Sequence, residues 1–154
     1  MWRWHHPLYP AHDVGKIAVP DEILLKPGKL TPEEFAIMET HTTKGSEIIK
    51  KMQLDEEEDL YLKHCYDICR YHHERWDGKG YPDKISGRDI PLSARIVSII
   101  DVYDALVSQR VYKPPFSHEE AINIIAEESG KKFDTQIVEE LMKNDKILRK
   151  VYGI

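Results

Sequence analysis

The sequence predicts an all-α, single-domain helical bundle. Three observations lead there. The 154 residues suit one domain with one core. Helix-start signals and helically spaced apolar side chains fill most of the chain. No segment alternates cleanly between apolar and polar residues, and IAVP at 17–20 is too short to count as a strand. The chain has no internal repeat and no low-complexity linker.

Met1 to Pro10 (MWRWHHPLYP) reads as an atypical leader: a tag remnant, an alternative start or a truncation point. The domain proper is expected over residues 11–154. Thr31-Pro32-Glu33-Glu34 marks the first strong helix start. It has an N-cap, a proline in the first turn and acids facing the positive end of the dipole. Phe35, Ile37 and Met38 follow. A handover near Glu39–Thr43 then gives a second helix from about Thr42 to Met52, with Ile48, Ile49 and Met52 inward. The next helix spans Asp55 to Tyr71 and carries Leu60, Leu62, Cys65, Ile68 and Cys69.

Residues 75–90 form a long loop rich in Gly, Pro and Asp, and such a loop inside a small domain is usually functional. Pro91 opens the most apolar helix, LSARIVSIIDVYDALVSQR. Ser117 and Glu120 make a capping box ahead of Ile122, Ile124 and Ile125. Asp134 caps the last expected helix, with Ile137, Val138, Leu141 and Met142.

Composition excludes several functions. The formal charge of −5 leaves no broad basic face for DNA or RNA. Lysines cluster only locally, at Lys44, Lys50, Lys51, Lys131 and Lys132, and read as solvated helix faces. No apolar run approaches the ~20 residues of a membrane span. Cys65 and Cys69 share a helix face, a spacing that suits packing thiols in a reducing cytoplasm better than a disulfide.

The chemistry lies in histidines and acids. His72 and His73 are adjacent, and each ring brings two nitrogens that need partners. They precede Glu74-Arg75-Trp76-Asp77-Gly78-Lys79-Gly80-Tyr81-Pro82, a shaped polar loop. His12 and Asp13 are either a surface pair or two ligands of one cluster. The second option needs a helix end or kink, which Gly15 supplies, and places Lys16 where it can hold a phosphate oxygen. His41 is either structural or a ligand. His64 and His118 read as surface or cap residues. Asp101, between Ile100 and Val102, must bond to a cation, a metal or a helix terminus, because burying it unpaired costs several kcal/mol. Asp104, one turn on, could bond to the glycines at 78–80. Nitrogen and oxygen ligands without thiolates suit two or more Fe, Mn or similar ions better than structural zinc.

With these residues in place, the chain resembles the HD-GYP family, a branch of the HD superfamily of metal-dependent phosphohydrolases. The likeness runs from AHDVGK through KPGKLTPEEF, THTTKG, HHERWDGKGYP, IPLSARIVSIIDVYDAL and SHEEA to GKKFDTQIV. The HHExxDGxGYP block is complete. The resemblance implies a helical domain that hydrolyses the bacterial second messenger cyclic di-GMP, via pGpG, to GMP; some family members only bind. It implies two or three divalent metals, Fe or Mn favoured, held by His12, Asp13, His41, His72, His73 and Asp101. Asp13 would bridge two of them, with a shared water as nucleophile. It puts Lys16 at the scissile phosphate, Arg110 and Lys113 at the dinucleotide phosphates, and Tyr81 in the loop that shapes the site. That loop would also contact diguanylate cyclase (GGDEF) partners. Arg95 matches a motif position as either ligand or structure. The chain departs from the family in having eleven residues where two helices usually precede the His-Asp pair, which would open a core face to homodimerisation. It also reads Gln109-Arg110-Val111-Tyr112 where DRPY is usual.

Overall fold

A computed structural model describes residues 9–52, 60–109 and 114–153, and among them the ordered elements are all helices. A 3₁₀ segment, Tyr9–Ala18, leads into one turn of α1 (Asp21–Leu24). Then come α2 (Pro32–Met52), α3 (Leu60–Tyr71), α4 (Leu92–Val107), α5 (His118–Glu127), α6 (Thr135–Lys143) and α7 (Asp145–Tyr152). No strand forms among the described residues, only an isolated bridge between Ser129 and Phe133. No described helix is long and apolar enough to cross a membrane.

The start of α2 is as expected. The Glu34 amide donates to Thr31 Oγ1 at 3.3 Å, and the Thr31 amide donates to Glu34 Oε2 at 2.7 Å, closing a reciprocal cap. The expected handover at Glu39–Thr43 does not occur, because α2 runs unbroken across it. The reason is local. Thr40, Thr42 and Thr43 each donate a hydroxyl hydrogen bond to the carbonyl three residues back, at 2.6, 2.9 and 3.0 Å. The hydroxyls therefore bond within the helix instead of breaking it. His41 consequently sits in mid-helix and is buried.

Two packed regions share the load. One joins α4 to α7: Ile99 and Tyr103 pack with Ala121, Ile125, Phe133, Val138 and Leu148. The other joins the 3₁₀ segment, α2 and α3 at two glycines. A Cβ on Gly15 would lie 1.9 Å from the His41 carbonyl oxygen, and one on Gly45 would lie 2.3 Å from Cys69 Sγ. Gly15 thus serves close approach, not the expected kink. Cys65 and Cys69 are buried free thiols, as their spacing implied.

Three further expectations are corrected. Asp134 caps α6, its Oδ1 accepting from the Gln136 amide at 2.9 Å, but α6 is not last, since α7 follows directly after Asn144. His118 is no surface residue: it is 5% exposed, with Nδ1 2.8 Å from the Tyr103 hydroxyl. Asp104 meets Ser108 at 3.5 Å instead of the loop glycines, and Tyr152 supports its charge. The expected helix over 55–71 is seen from Leu60; residues 53–59 lie outside the described ones.

Candidate metal centre

Four elements converge on one polar point. The 3₁₀ segment brings His12 and Asp13, α2 brings His41, the end of α3 brings His72 and His73, and α4 brings Asp101. His12 Nε2 lies 3.3 Å from Asp13 Oδ2 and 3.7 Å from Asp101 Oδ1. His41 Nε2 lies 3.9 Å from Asp13 Oδ1. Ring centroids are 5.1 Å apart for His12–His72, 5.1 Å for His41–His73 and 4.0 Å for His72–His73. Ligand atoms of His41, His72 and His73 all fall within 4.8 Å of one another.

The rings are aimed by the main chain. His41 Nδ1 is 2.6 Å from the Met38 carbonyl oxygen, and His72 Nδ1 is 2.9 Å from that of Ile68. A carbonyl only accepts, so each Nδ1 carries the proton and each Nε2 keeps its lone pair. Both Nε2 atoms are buried without a hydrogen-bond partner. Leaving such atoms bare costs about 1–3 kcal/mol each, unless a cation takes them. The donor set therefore fits a divalent metal on chemical grounds.

The electrostatics agree. Burial, reinforced by neighbouring imidazoles, holds His72 down to about 3 and also lowers His73. Burial lowers His41 as well. All three rings are neutral at pH 7, as ligands must be. Burial alone would raise the Asp13 carboxyl, but hydrogen bonds and charge from His12 and Lys16 outweigh it and hold Asp13 well below the carboxylate range. Lys16 Nζ donates to Asp13 Oδ2 at 2.6 Å.

The family described as HD domain matches residues 7–137. The chain belongs to the HD domain family. It is 49% identical over 130 residues to a cyclic di-GMP phosphodiesterase of Vibrio cholerae, covering 84% of this chain and 26% of that one. A cyclic di-GMP phosphodiesterase of Thermotoga maritima is 47% identical, over 93% of this chain and 38% of its own length. A 3′3′-cGAMP-specific phosphodiesterase of Vibrio cholerae is 43% identical, over 88% and 25%. The chain therefore spans well under half of these relatives.

Around the centre of this HD domain, the loop after His73 is fastened at several points. Glu74, 2% exposed, accepts through Oε1 from the amides of Asp83 at 2.7 Å and Lys84 at 3.0 Å. Arg70 grips Asp83 with two bonds, of 2.8 and 2.7 Å. The Trp76 and Asp77 amides donate to the Lys132 and Lys131 carbonyls at 3.1 and 2.8 Å. Gly80 passes so close to Glu74 that a Cβ would lie 2.5 Å from its Cα. The Tyr81 ring comes to rest against His73, with centroids 4.8 Å apart.

Arg95, open between ligand and structure in the sequence, is structural in this geometry. It donates to the buried Asp134 at 2.6 Å and lies 5.8 Å from the Trp76 ring. Arg110 and Lys113 lie outside the described residues. Two residues were missed. Glu74 organises the loop, and a lone acid directly after the His pair was the available signal. Lys132, read as part of a solvated face, is half-buried; burial, and then the charge of Arg75, lower its ammonium. Its place in the short turn after Gly130 was the signal there.

Proposed function

We propose that this chain is a metal-dependent phosphodiesterase that hydrolyses cyclic di-GMP, via pGpG, to GMP. The observation that carries the reading is the pair of buried, partnerless Nε2 atoms on His41 and His72, set beside Asp13 and Asp101. The proposal gives His12, Asp13, His41, His72, His73 and Asp101 the role of ligands to two or three divalent ions, with Fe or Mn favoured for a nitrogen and oxygen set. Bound metal supplies Lewis acidity and an activated water for in-line displacement at phosphorus.

The chain's own residues do the rest. The carbonyls of Met38 and Ile68 fix the His41 and His72 rings before substrate arrives, so no reorganisation is needed during reaction. Asp13 stays ionised because His12 and Lys16 both sit on its Oδ2, leaving Oδ1 turned toward His41. An ammonium has three donors, so Lys16 keeps N–H groups for a phosphate oxygen. Arg110 and Lys113 are assigned to the remaining phosphate charge, and Tyr81 to the wall of the site.

The test is product analysis after metal-loaded protein meets cyclic di-GMP. The expected course is loss of substrate, transient pGpG and accumulation of GMP. Asp13→Ala should lower turnover at least about a thousandfold, and Tyr81→Ala should lower it less. The relative specific for 3′3′-cGAMP makes that dinucleotide the competing substrate in the same assay. Intact cyclic di-GMP after incubation with fully loaded protein ends this reading.

A further inference from the structure

A cavity opens beside Tyr81. Its volume is about 420 Å³, within the range of small-ligand sites. One wall is the α2 face of Ala36, Glu39, Thr40 and Thr43, residues that repeat at helical spacing. The other wall is the loop, with Lys79, Gly80, Tyr81, Pro82 and Lys84, so the loop side brings two lysines. Tyr81 also packs on His73, so the cavity and the metal centre share that side chain as a partition.

The α2 wall offers acceptors only. The Thr40 and Thr43 hydroxyls have spent their protons on the carbonyls of Ile37 and Thr40, at 2.6 and 3.0 Å. What they show the cavity is lone pairs and methyl groups. No ion pair among the described residues takes up the Glu39 carboxylate. The α2 wall fits a ligand edge made of N–H donors and gives a lone pair no partner of its own, while the loop side adds the donors of Lys79 and Lys84. The Watson–Crick edge of guanine carries two adjacent donors, N1–H and N2–H. That of adenine carries one donor and the N1 lone pair. A tyrosine wall suits the flat face of either base.

We propose that this cavity takes a guanine of the cyclic dinucleotide, with Glu39 accepting from both donors of its Watson–Crick edge and Tyr81 forming the stacking wall. The inference rests on the cyclic dinucleotide reading above and adds the residue that selects the base. Glu39 then sets base preference without touching the scissile phosphate, and it discriminates against cyclic di-AMP.

The test compares binding of cyclic di-GMP and cyclic di-AMP to metal-loaded Asp13→Ala and Asp13→Ala/Glu39→Gln proteins, alongside turnover by the wild type and Glu39→Gln. A glutamine keeps the helix and the size but replaces one acceptor with a donor, which matches adenine. Cyclic di-GMP binding is expected to weaken roughly tenfold to a hundredfold, with cyclic di-AMP unchanged or tighter. The Glu39→Gln protein should show the loss in KM more than in kcat, and should cleave bis(p-nitrophenyl) phosphate, which has no base, with a far smaller loss. Equal weakening of both dinucleotides, or no weakening of either, overturns the proposal. A wild type that cleaves nothing, yet whose guanine preference in binding disappears with Glu39→Gln, removes the hydrolytic reading and keeps the base site. Cleavage of cyclic di-GMP with an unmoved preference does the reverse.

Discussion

Gly15 and Gly45 set how closely the His-Asp segment approaches α2. Neither needs left-handed backbone, since the positive-φ glycines are Gly28, Gly78, Gly87, Gly130 and Gly153. What they supply is the missing Cβ. At Gly15 the first obstacle would be the His41 carbonyl, a main-chain atom that cannot swing away. Gly15→Ala is therefore expected to cost about 3 kcal/mol in denaturant unfolding and to lower metal content, because Asp13 and His41 are pushed apart. Retained stability and metal would count against the contact. Cys69 beneath them gives a second expectation. It is 0% exposed, and burial pushes its thiol up to about 11. Iodoacetamide at pH 8 should leave it unmodified in the folded protein and label it fully in denaturant. The convergence of histidines and acids was legible in the sequence because such groups in apolar helices must find partners. Gly15 was misread because a glycine needed for closeness looks the same in one dimension as a glycine needed for a bend.

The loop from Arg75 to Ile90 holds its shape through bonds to neighbours more than through any apolar core of its own. Glu74 is the central fastening, since one oxygen receives two amides, and Arg70 clamps the same turn from outside through Asp83. Glu74→Ala should cost about 1–3 kcal/mol by orphaning those amides. Hydrogen exchange should quicken at Asp83 and Lys84 while α4 stays protected, and unchanged exchange at those two positions would refute the fastening. The length and composition of this loop announced its importance, but its anchors did not show, because main-chain carbonyls such as those of Lys131 and Lys132 are alike in every sequence. The same limit explains α2. The threonine run around His41 reads as a break when hydroxyls are imagined competing with the helix; the structure turns them back onto it. The junction at Asn144 was missed because a cap for α6 gives no notice of a second helix beginning one residue later.

The molecule as a whole separates an apolar end, α4 to α7, from an end whose interior is imidazole and carboxylate. That second end is held together by groups that a metal would neutralise, so its stability without metal should depend on pH. The sign follows from the histidines. Burial lowers His41, His72 and His73 below the 6.5 of an unfolded chain, with His72 near 3. The folded form therefore refuses protons that the unfolded form accepts. Their contribution is fully present above about pH 6.5 and is lost as pH falls toward the folded values. Glu74 and Asp104, raised by burial, act in the opposite direction, two carboxyls against three imidazoles. Chelator-treated protein should accordingly unfold at a lower denaturant midpoint at pH 5.5 than at pH 7.5. Each responding histidine adds up to about 1.4 kcal/mol per pH unit to the slope. Adding Mn²⁺ should raise the midpoint more at pH 7.5 than at pH 5.5, since acid competes with metal for the same nitrogens. His72→Ala should flatten the metal-free profile and weaken the response to Mn²⁺ together. A midpoint that rose on acidification, or a metal response indifferent to pH, would mean that these rings are not the buried, neutral ligand set from which the function is argued.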